Sequence, residues 1–182
     1  MKTQTKNLKT SLWLLTLLMT FTFFYCEKDP LEDCRKDPAC EYFTCKVNGE
    51  RWEPQCKGEP FFGGCTPWDV QYYRKTSGNL GIYIKNESNK QNFTFLTRNQ
   101  KIKIGENKLF INENIQTRFS NLNLIDSCIR YKLDTLQIYS FNVTKIDTIN
   151  YFLSATFHFI GKNDCGEEVN ITDGEFNLPY RF

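Results

Sequence analysis

Histidine is almost missing from this chain, with His158 the single imidazole among 182 residues. Zinc sites built on cysteine pairs normally add a second close pair or histidines. The gaps between Cys34, Cys40, Cys45, Cys56 and Cys65 hold 5, 4, 10 and 8 residues. No metal is therefore expected. Triad chemistry would have to run entirely through His158. That residue alternates with Ser154 and Thr156 opposite the apolar row Leu153, Ala155, Phe157 and Phe159, so it reads as a solvated strand residue. Charge of one sign is lacking too. Three of the 23 basic residues (Lys2, Lys6, Lys9) fall in the first nine positions, leaving 20 against 21 acidic. A near-neutral domain without a basic stripe lacks the footprint of a nucleic-acid binder. There is no internal repeat, no convincing amphipathic helix, and no catalytic or cofactor motif, so no cofactor is expected.

What is present begins with a leader. Residues 1–10 are polar and basic, and Ser11 to Tyr25 is a mostly apolar run of 15 residues. That order is the layout of a cleaved secretory signal helix, and the run is shorter than the roughly 20 residues a membrane span needs. The run stops at Cys26, followed by Glu27-Lys28-Asp29-Pro30. This resembles a bacterial lipoprotein signal, in which the cysteine is lipidated and becomes the new N-terminus. Tyr25 stands where such signals usually carry a small residue. Cys26-Glu27-Lys28-Asp29 is also similar to the export tag of surface lipoproteins in the Bacteroidetes phylum. The alternative is an ordinary secreted protein whose Cys26 is removed or disulfide-bonded. The expected organisation is a signal peptide over 1–25, a flexible tether over 26–40, and one β-rich domain over 41–182.

Eight cysteines accompany this export leader, and an oxidising compartment favours disulfides over free thiols. With Cys26 assigned to lipid, seven are left, an odd number. The candidate disulfide residues are Cys34, Cys40, Cys56, Cys65, Cys128 and Cys165. Cys56 and Cys65 enclose a Gly-rich loop that a bridge would restrain, Cys34 to Cys40 is another short candidate, and Cys128 with Cys165 would join distant segments.

The rest alternates. Glu41–Val47 and Glu50–Glu53 flank Asn48-Gly49, a strong hairpin signal because both turn residues take positive φ. Trp68–Lys75 pairs with Leu80–Asn86 across Thr76-Ser77-Gly78-Asn79, and Asn92–Arg98 follows. Shorter strands are expected at Lys101–Ile104 and Lys108–Ile111. Asn112–Asn123 is polar and is expected to hold the longest loop. Cys128–Lys132, Leu136–Lys145 and Tyr151–Ile160 come next, and Glu168–Thr172 and Glu175–Tyr180 flank Asp173-Gly174, a hairpin or bulge signal. The 28 aromatic residues (16 Phe, 9 Tyr, 3 Trp) suit pleated, half-buried surfaces. The predicted fold is all-β, an antiparallel β-sandwich or open barrel of about 7–10 strands.

Two segments carry a resemblance. One is Val47-Asn48-Gly49-Glu50-Arg51-Trp52; the other is Ile171-Thr172-Asp173-Gly174-Glu175-Phe176. They resemble the opening hairpin and closing segment of uncharacterised β-rich lipoproteins of the Bacteroidetes phylum. That resemblance implies a surface or periplasmic lipoprotein and supplies no catalytic residue.

Functional expectations follow from what stands out. Trp52, Phe61, Phe62, Trp68, Tyr72 and Tyr73 crowd the N-terminal third and would form a ligand-stacking platform for sugar or peptide if exposed, or core if not. Asp134-Thr135-Leu136 and Asp147-Thr148-Ile149 resemble the Bacteroidetes O-glycosylation acceptor, making Thr135 and Thr148 candidates. Asp164, Glu167 and Glu168 cluster, but not with the spacing of an EF-hand. The expected function is a non-enzymatic envelope lipoprotein at the outer membrane or cell surface, or otherwise periplasmic or secreted. Its partners would be the membrane, through the lipid, and a glycan or protein. The alternatives are a cryptic glycan-acting hydrolase working through paired carboxylates and an architectural subunit of a surface complex.

Overall fold

In the computed structural model the described residues are 29, 31–57, 65–73, 78–97, 101–109, 117–125 and 127–181. The leader, Cys26, Phe61 and Phe62 lie outside them. Contacts divide the chain into two units, Met1–Lys36 and Asp37–Phe182. Among the described residues the first contains one short helix, α1 (Glu32–Lys36), whose ends pair Lys36 Nζ with Glu32 Oε1 at 2.6 Å.

The second unit is all-β. Its strands are β1 (Tyr42–Val47), β2 (Glu50–Trp52), β3 (Trp68–Tyr72), β4 (Leu80–Asn86), β5 (Gln91–Thr97), β6 (Gly105–Glu106), β7 (Arg118–Asn121), β8 (Arg130–Leu133), β9 (Ser140–Asp147), β10 (Phe152–Lys162) and β11 (Glu168–Pro179). They form one antiparallel sheet in the order β2-β1-β11-β10-β8-β7-β5-β4-β3, with β9 on β10 and β6 on β9. The sheet curls into a half-barrel. Residues just beyond two strands touch across it: Gln71 bridges Arg181, and Gln55 bridges Asn86.

Period-two alternation puts one row of each strand inside. Ile82, Ile84, Phe93, Phe95, Phe141, Leu153, Ala155, Phe157, Phe159, Ile171 and Phe176 are all at most 3% exposed. The interior is a lattice of phenylalanine rings. Phe93 lies 4.9 Å from Phe119 and 5.9 Å from Phe95, and Phe95 lies 4.8 Å from Phe157. Ring pairs at these separations contribute about 0.5–1.5 kcal/mol beyond the area they bury.

The opening hairpin forms as expected, with Asn48 at φ 53° and Gly49 at φ 87°. Asp173-Gly174 is a bulge rather than a turn, and β11 runs through it unbroken. Phe157 faces Gly174 while Phe159 faces Ile171, so β11 carries one extra residue, absorbed where Asp173 adopts φ 50°. Gly174 is required for a second reason. A Cβ there would lie 2.4 Å from Cε2 of Phe157, in the middle of the core. Gly174→Ala is therefore expected to destabilise the domain by about 1–3 kcal/mol. Urea unfolding checks this; an unchanged midpoint would show that the Phe157 ring has room to retreat.

Four other expectations need correction. Among the described residues there are eleven strands, against the expected seven to ten or so. The strands expected at Lys101–Ile104 and Lys108–Ile111 do not form among the described residues. A two-residue strand, β6, lies between them, and the Asn107 carboxamide takes the place of a ladder. Its Nδ2 donates to the carbonyls of Lys103 and Gly105 at 2.7 Å, and its Oδ1 accepts the Lys103 N–H at 3.1 Å. Within the polar stretch expected to be a loop sits β7, held by Phe119 inserted beside Phe93 and Tyr131. The strand expected from Leu136 starts only at Ser140. Asp134 Oδ1 captures the Leu136 N–H at 2.9 Å, making a turn, and Leu136 and Ile138 are 93% and 83% exposed.

Candidate functional site

Three turns meet at one end of the half-barrel: Asn48-Gly49 between β1 and β2, residues 87–90 between β4 and β5, and the turn that leaves β7 after Asn121. Backbone and side-chain bonds fix the first to β11 and join the other two. Asn48 and Asn170 exchange two bonds, the Asn48 N–H donating to the Asn170 carbonyl at 2.8 Å and the Asn170 N–H to Asn48 Oδ1 at 2.8 Å. The Leu122 N–H donates to the Lys90 carbonyl at 2.9 Å, and Asn123 Nδ2 donates to the Asn89 carbonyl at 2.7 Å.

Between these turns lies a cleft of about 330 Å³, at the small end of the roughly 300–1,000 Å³ typical of ligand pockets. Asn48, Asn89, Gln91 and Asn121 bring carboxamides to its wall, Glu50 brings its one carboxylate, and Trp52 lies beneath. Trp52 is 4% exposed, edge-on to Phe93 at 4.8 Å, and its indole N–H donates to Gln91 Oε1 at 2.7 Å. Tyr131 also lines the cleft, and its hydroxyl donates to Glu167 Oε2 at 2.9 Å. Burial first, and that bond second, push the Tyr131 phenol above its ordinary range. Arg51 is matched by Glu53, to which its Nε donates at 2.7 Å.

The orientations of three carboxamides are fixed by donors that cannot be reversed. Asn48 Oδ1 accepts a backbone N–H, Asn121 Oδ1 accepts the Asn123 N–H at 3.2 Å, and Gln91 Oε1 accepts an indole N–H. Each oxygen is thus committed to the protein, and each NH2 has no partner among the described residues. The Asn89 side chain makes no hydrogen bond among the described residues. The sequence reading missed this group because it treated Asn48 only as a turn former and the asparagines near 121 only as loop. The signal available was an asparagine at or beside each of three separate turns.

The predicted residues fare unevenly. Trp52 and Tyr72 are core, 4% and 3% exposed, so neither offers a face for stacking; Tyr72 packs on Tyr180 at 5.3 Å. Trp68 is half-buried and its Nε1 has no hydrogen-bond partner among the described residues. Tyr73 is 46% exposed, with its hydroxyl donating to Gln71 Oε1 at 2.9 Å. The expected platform is therefore not assembled from the four described members.

All six candidate disulfide cysteines are in bridges. Cys56 bonds Cys65, Cys128 bonds Cys165, and Cys34 and Cys40 are both in disulfides. Cys45 alone among the described cysteines is free; it is 2% exposed, and burial raises its thiol far above the ordinary range. Disulfides on this scale are the mark of a non-cytosolic, extracellular-type protein.

Thr135 and Thr148 both lie exposed on turns. Each follows an aspartate whose Oδ1 accepts the N–H of the next-but-one residue, Leu136 at 2.9 Å and Ile149 at 3.0 Å. Asp147 is held well below the usual carboxylate range, first by the Asn150 N–H, then by the Asn150 side chain and Lys145.

His158 is exposed on β10. Asp164, Glu167 and Glu168 go separate ways, to Lys132, to Tyr131 with Asn163, and to Lys162. No metal-holding group of acidic, histidine or cysteine side chains occurs among the described residues, and no helix among them is long and apolar enough to cross a membrane. Comparison of the chain with family models, with curated proteins and with solved structures gives no match in any of the three.

Proposed function

We propose that this chain is a cell-envelope lipoprotein with a non-enzymatic binding role, held at the outer membrane or cell surface by lipid on Cys26. The observation that carries this reading is a disulfide-stapled β-domain placed behind a basic, then apolar, then cysteine leader. A signal of that layout exports the chain, and the bridges persist where export delivers it. The likeness to Bacteroidetes lipoproteins at Val47–Trp52 and Ile171–Phe176 agrees with that placement. On the same reading, Thr135 and Thr148 are glycan acceptors, presented on exposed turns.

A binding role fits a half-barrel whose ends carry concave polar surface on a rigid frame. The hydrolase alternative calls for two carboxyl groups flanking one cleft, and the cleft at the Asn48 end has one, Glu50. The architectural alternative draws support from Leu136, Ile138 and Ile149, apolar side chains 93%, 83% and 84% exposed on turns.

The anchor is tested by fractionating cells that produce the wild type or Cys26→Ser. The wild type is expected with membranes and the variant in the soluble or secreted fraction. Equal membrane partition of both would reject lipidation at Cys26.

A further inference from the structure

We infer that the cleft at the Asn48 end of the half-barrel is a binding site for a neutral oligosaccharide, read through side-chain amides. This rests on the binding role proposed above and adds its ligand class.

The argument is one of unspent hydrogen-bonding capacity. A carboxamide offers one oxygen acceptor and two N–H donors. At Asn48, Gln91 and Asn121 the oxygen is bound to a group that can only donate, so the side left over is the NH2. Asn89 has its whole amide to offer. Four residues with unspent NH2 groups, together with the Glu50 carboxylate and the Asn89 carbonyl oxygen as acceptors, therefore line a cavity of about 330 Å³. Their complement is a ligand rich in oxygen acceptors with a hydroxyl to give to Glu50.

Charge then discriminates among oxygen-rich ligands. Arg51, which also lines the cleft, is already matched by Glu53, and Glu50 has no partner among the described residues, so an anion meets a bare carboxylate and only a cation that is already paired. An extended peptide presents as many N–H as C=O groups, whereas the wall offers four NH2 donor groups against two acceptors, the Glu50 carboxylate and the Asn89 carbonyl oxygen. A sugar chain, uncharged and dense in hydroxyl and ring oxygens, meets both conditions. The Asn48 turn is tied to β11 through Asn170, and the other two turns are tied to each other through Lys90 and Asn123, so little ordering is left for binding to supply. Because Trp52 is buried beneath the amides rather than exposed beside them, hydrogen bonds rather than ring stacking carry the contact, and weak, millimolar-range affinity is expected.

The test follows the amide side-chain NH2 resonances of the 15N-labelled full chain in detergent micelles. Maltotriose, cellotriose and triacetylchitotriose are titrated at millimolar concentration, beside sulfate and an acetylated, amidated dipeptide. At least one trisaccharide is expected to shift the NH2 pairs of Asn48, Asn89, Gln91 and Asn121 saturably, with sulfate and dipeptide silent. Asn89→Ala removes a side chain that makes no bond within the described protein, so the fold is kept. It is expected to weaken that binding by about three- to tenfold, the share of one hydrogen bond. Silence towards all three sugars, an equal response to sulfate or to the dipeptide, or undiminished binding by Asn89→Ala would each overturn the inference. Any of these could occur while Cys26→Ser still releases the protein from membranes, so the saccharide site and the anchored reading fail separately.

Discussion

Phe93→Ala is expected to lower the unfolding free energy by about 3–5 kcal/mol. The ring is fully buried and touches six others, Phe43, Trp52, Phe95, Phe119, Phe157 and Phe159, at centroid distances from 4.8 to 6.3 Å. Those neighbours come from β1, β2, β5, β7 and β10, strands that sequence places far apart. The hole cannot collapse by moving one element, because every wall is part of a hydrogen-bonded ladder. A domain of this size is typically stable by only about 5–15 kcal/mol, so the variant is expected to lose a large part of its margin. Urea unfolding followed by tryptophan fluorescence measures it. A loss under about 1 kcal/mol would mean that the rings repack around the void and that the lattice is looser than its geometry indicates.

The second large effect is topological. Cys128 and Cys165 are 37 residues apart, and Cys56 and Cys65 are 9 apart. If bridges act mainly by restricting the unfolded chain, the longer closure contributes about 3–4 kcal/mol and the shorter about 2–3 kcal/mol. Replacing Cys128 and Cys165 by Ser is expected to cost more than replacing Cys56 and Cys65. The longer bridge also sits beside structure that depends on it. Asn163 Nδ2 donates to the Cys128 carbonyl and to Glu167, and its Oδ1 accepts the N–H groups of Cys165 and Glu167. Denaturant midpoints of the two double variants decide the order. A larger loss from the shorter loop would refute the loop-length account here.

Much of the architecture was legible because one face of most strands is buried. Period-two patterning located the inward row of β10, Leu153, Ala155, Phe157 and Phe159, residue by residue, since an inward position favours an apolar side chain. The cysteine residues could be nominated because export and spacing constrain them, although spacing alone could not pair them. What escaped were elements made by single side chains. β7 contains one inward aromatic, Phe119, in a polar context, too little to give a period. β6 depends on a carboxamide, Asn107, acting as backbone. Leu136 and Ile138 alternate like a strand but follow an aspartate that closes a turn. The cleft was illegible for a related reason. Its chemistry lies in which atom of each amide the protein has already used, and that is settled by partners such as Asn170 and Trp52, up to 122 residues away.

Cys45 gives the fold a chemical permanence. Exchange among disulfides starts from a thiolate that can reach a bridge. Among the described cysteines the sole candidate attacker is sealed against solvent and kept protonated by its surroundings. Among the described cysteines, a thiol can reach a bridge only while β1 is still open. Once that strand docks onto β11, this nucleophile is withdrawn, and the finished fold shields its own bridges from attack by it.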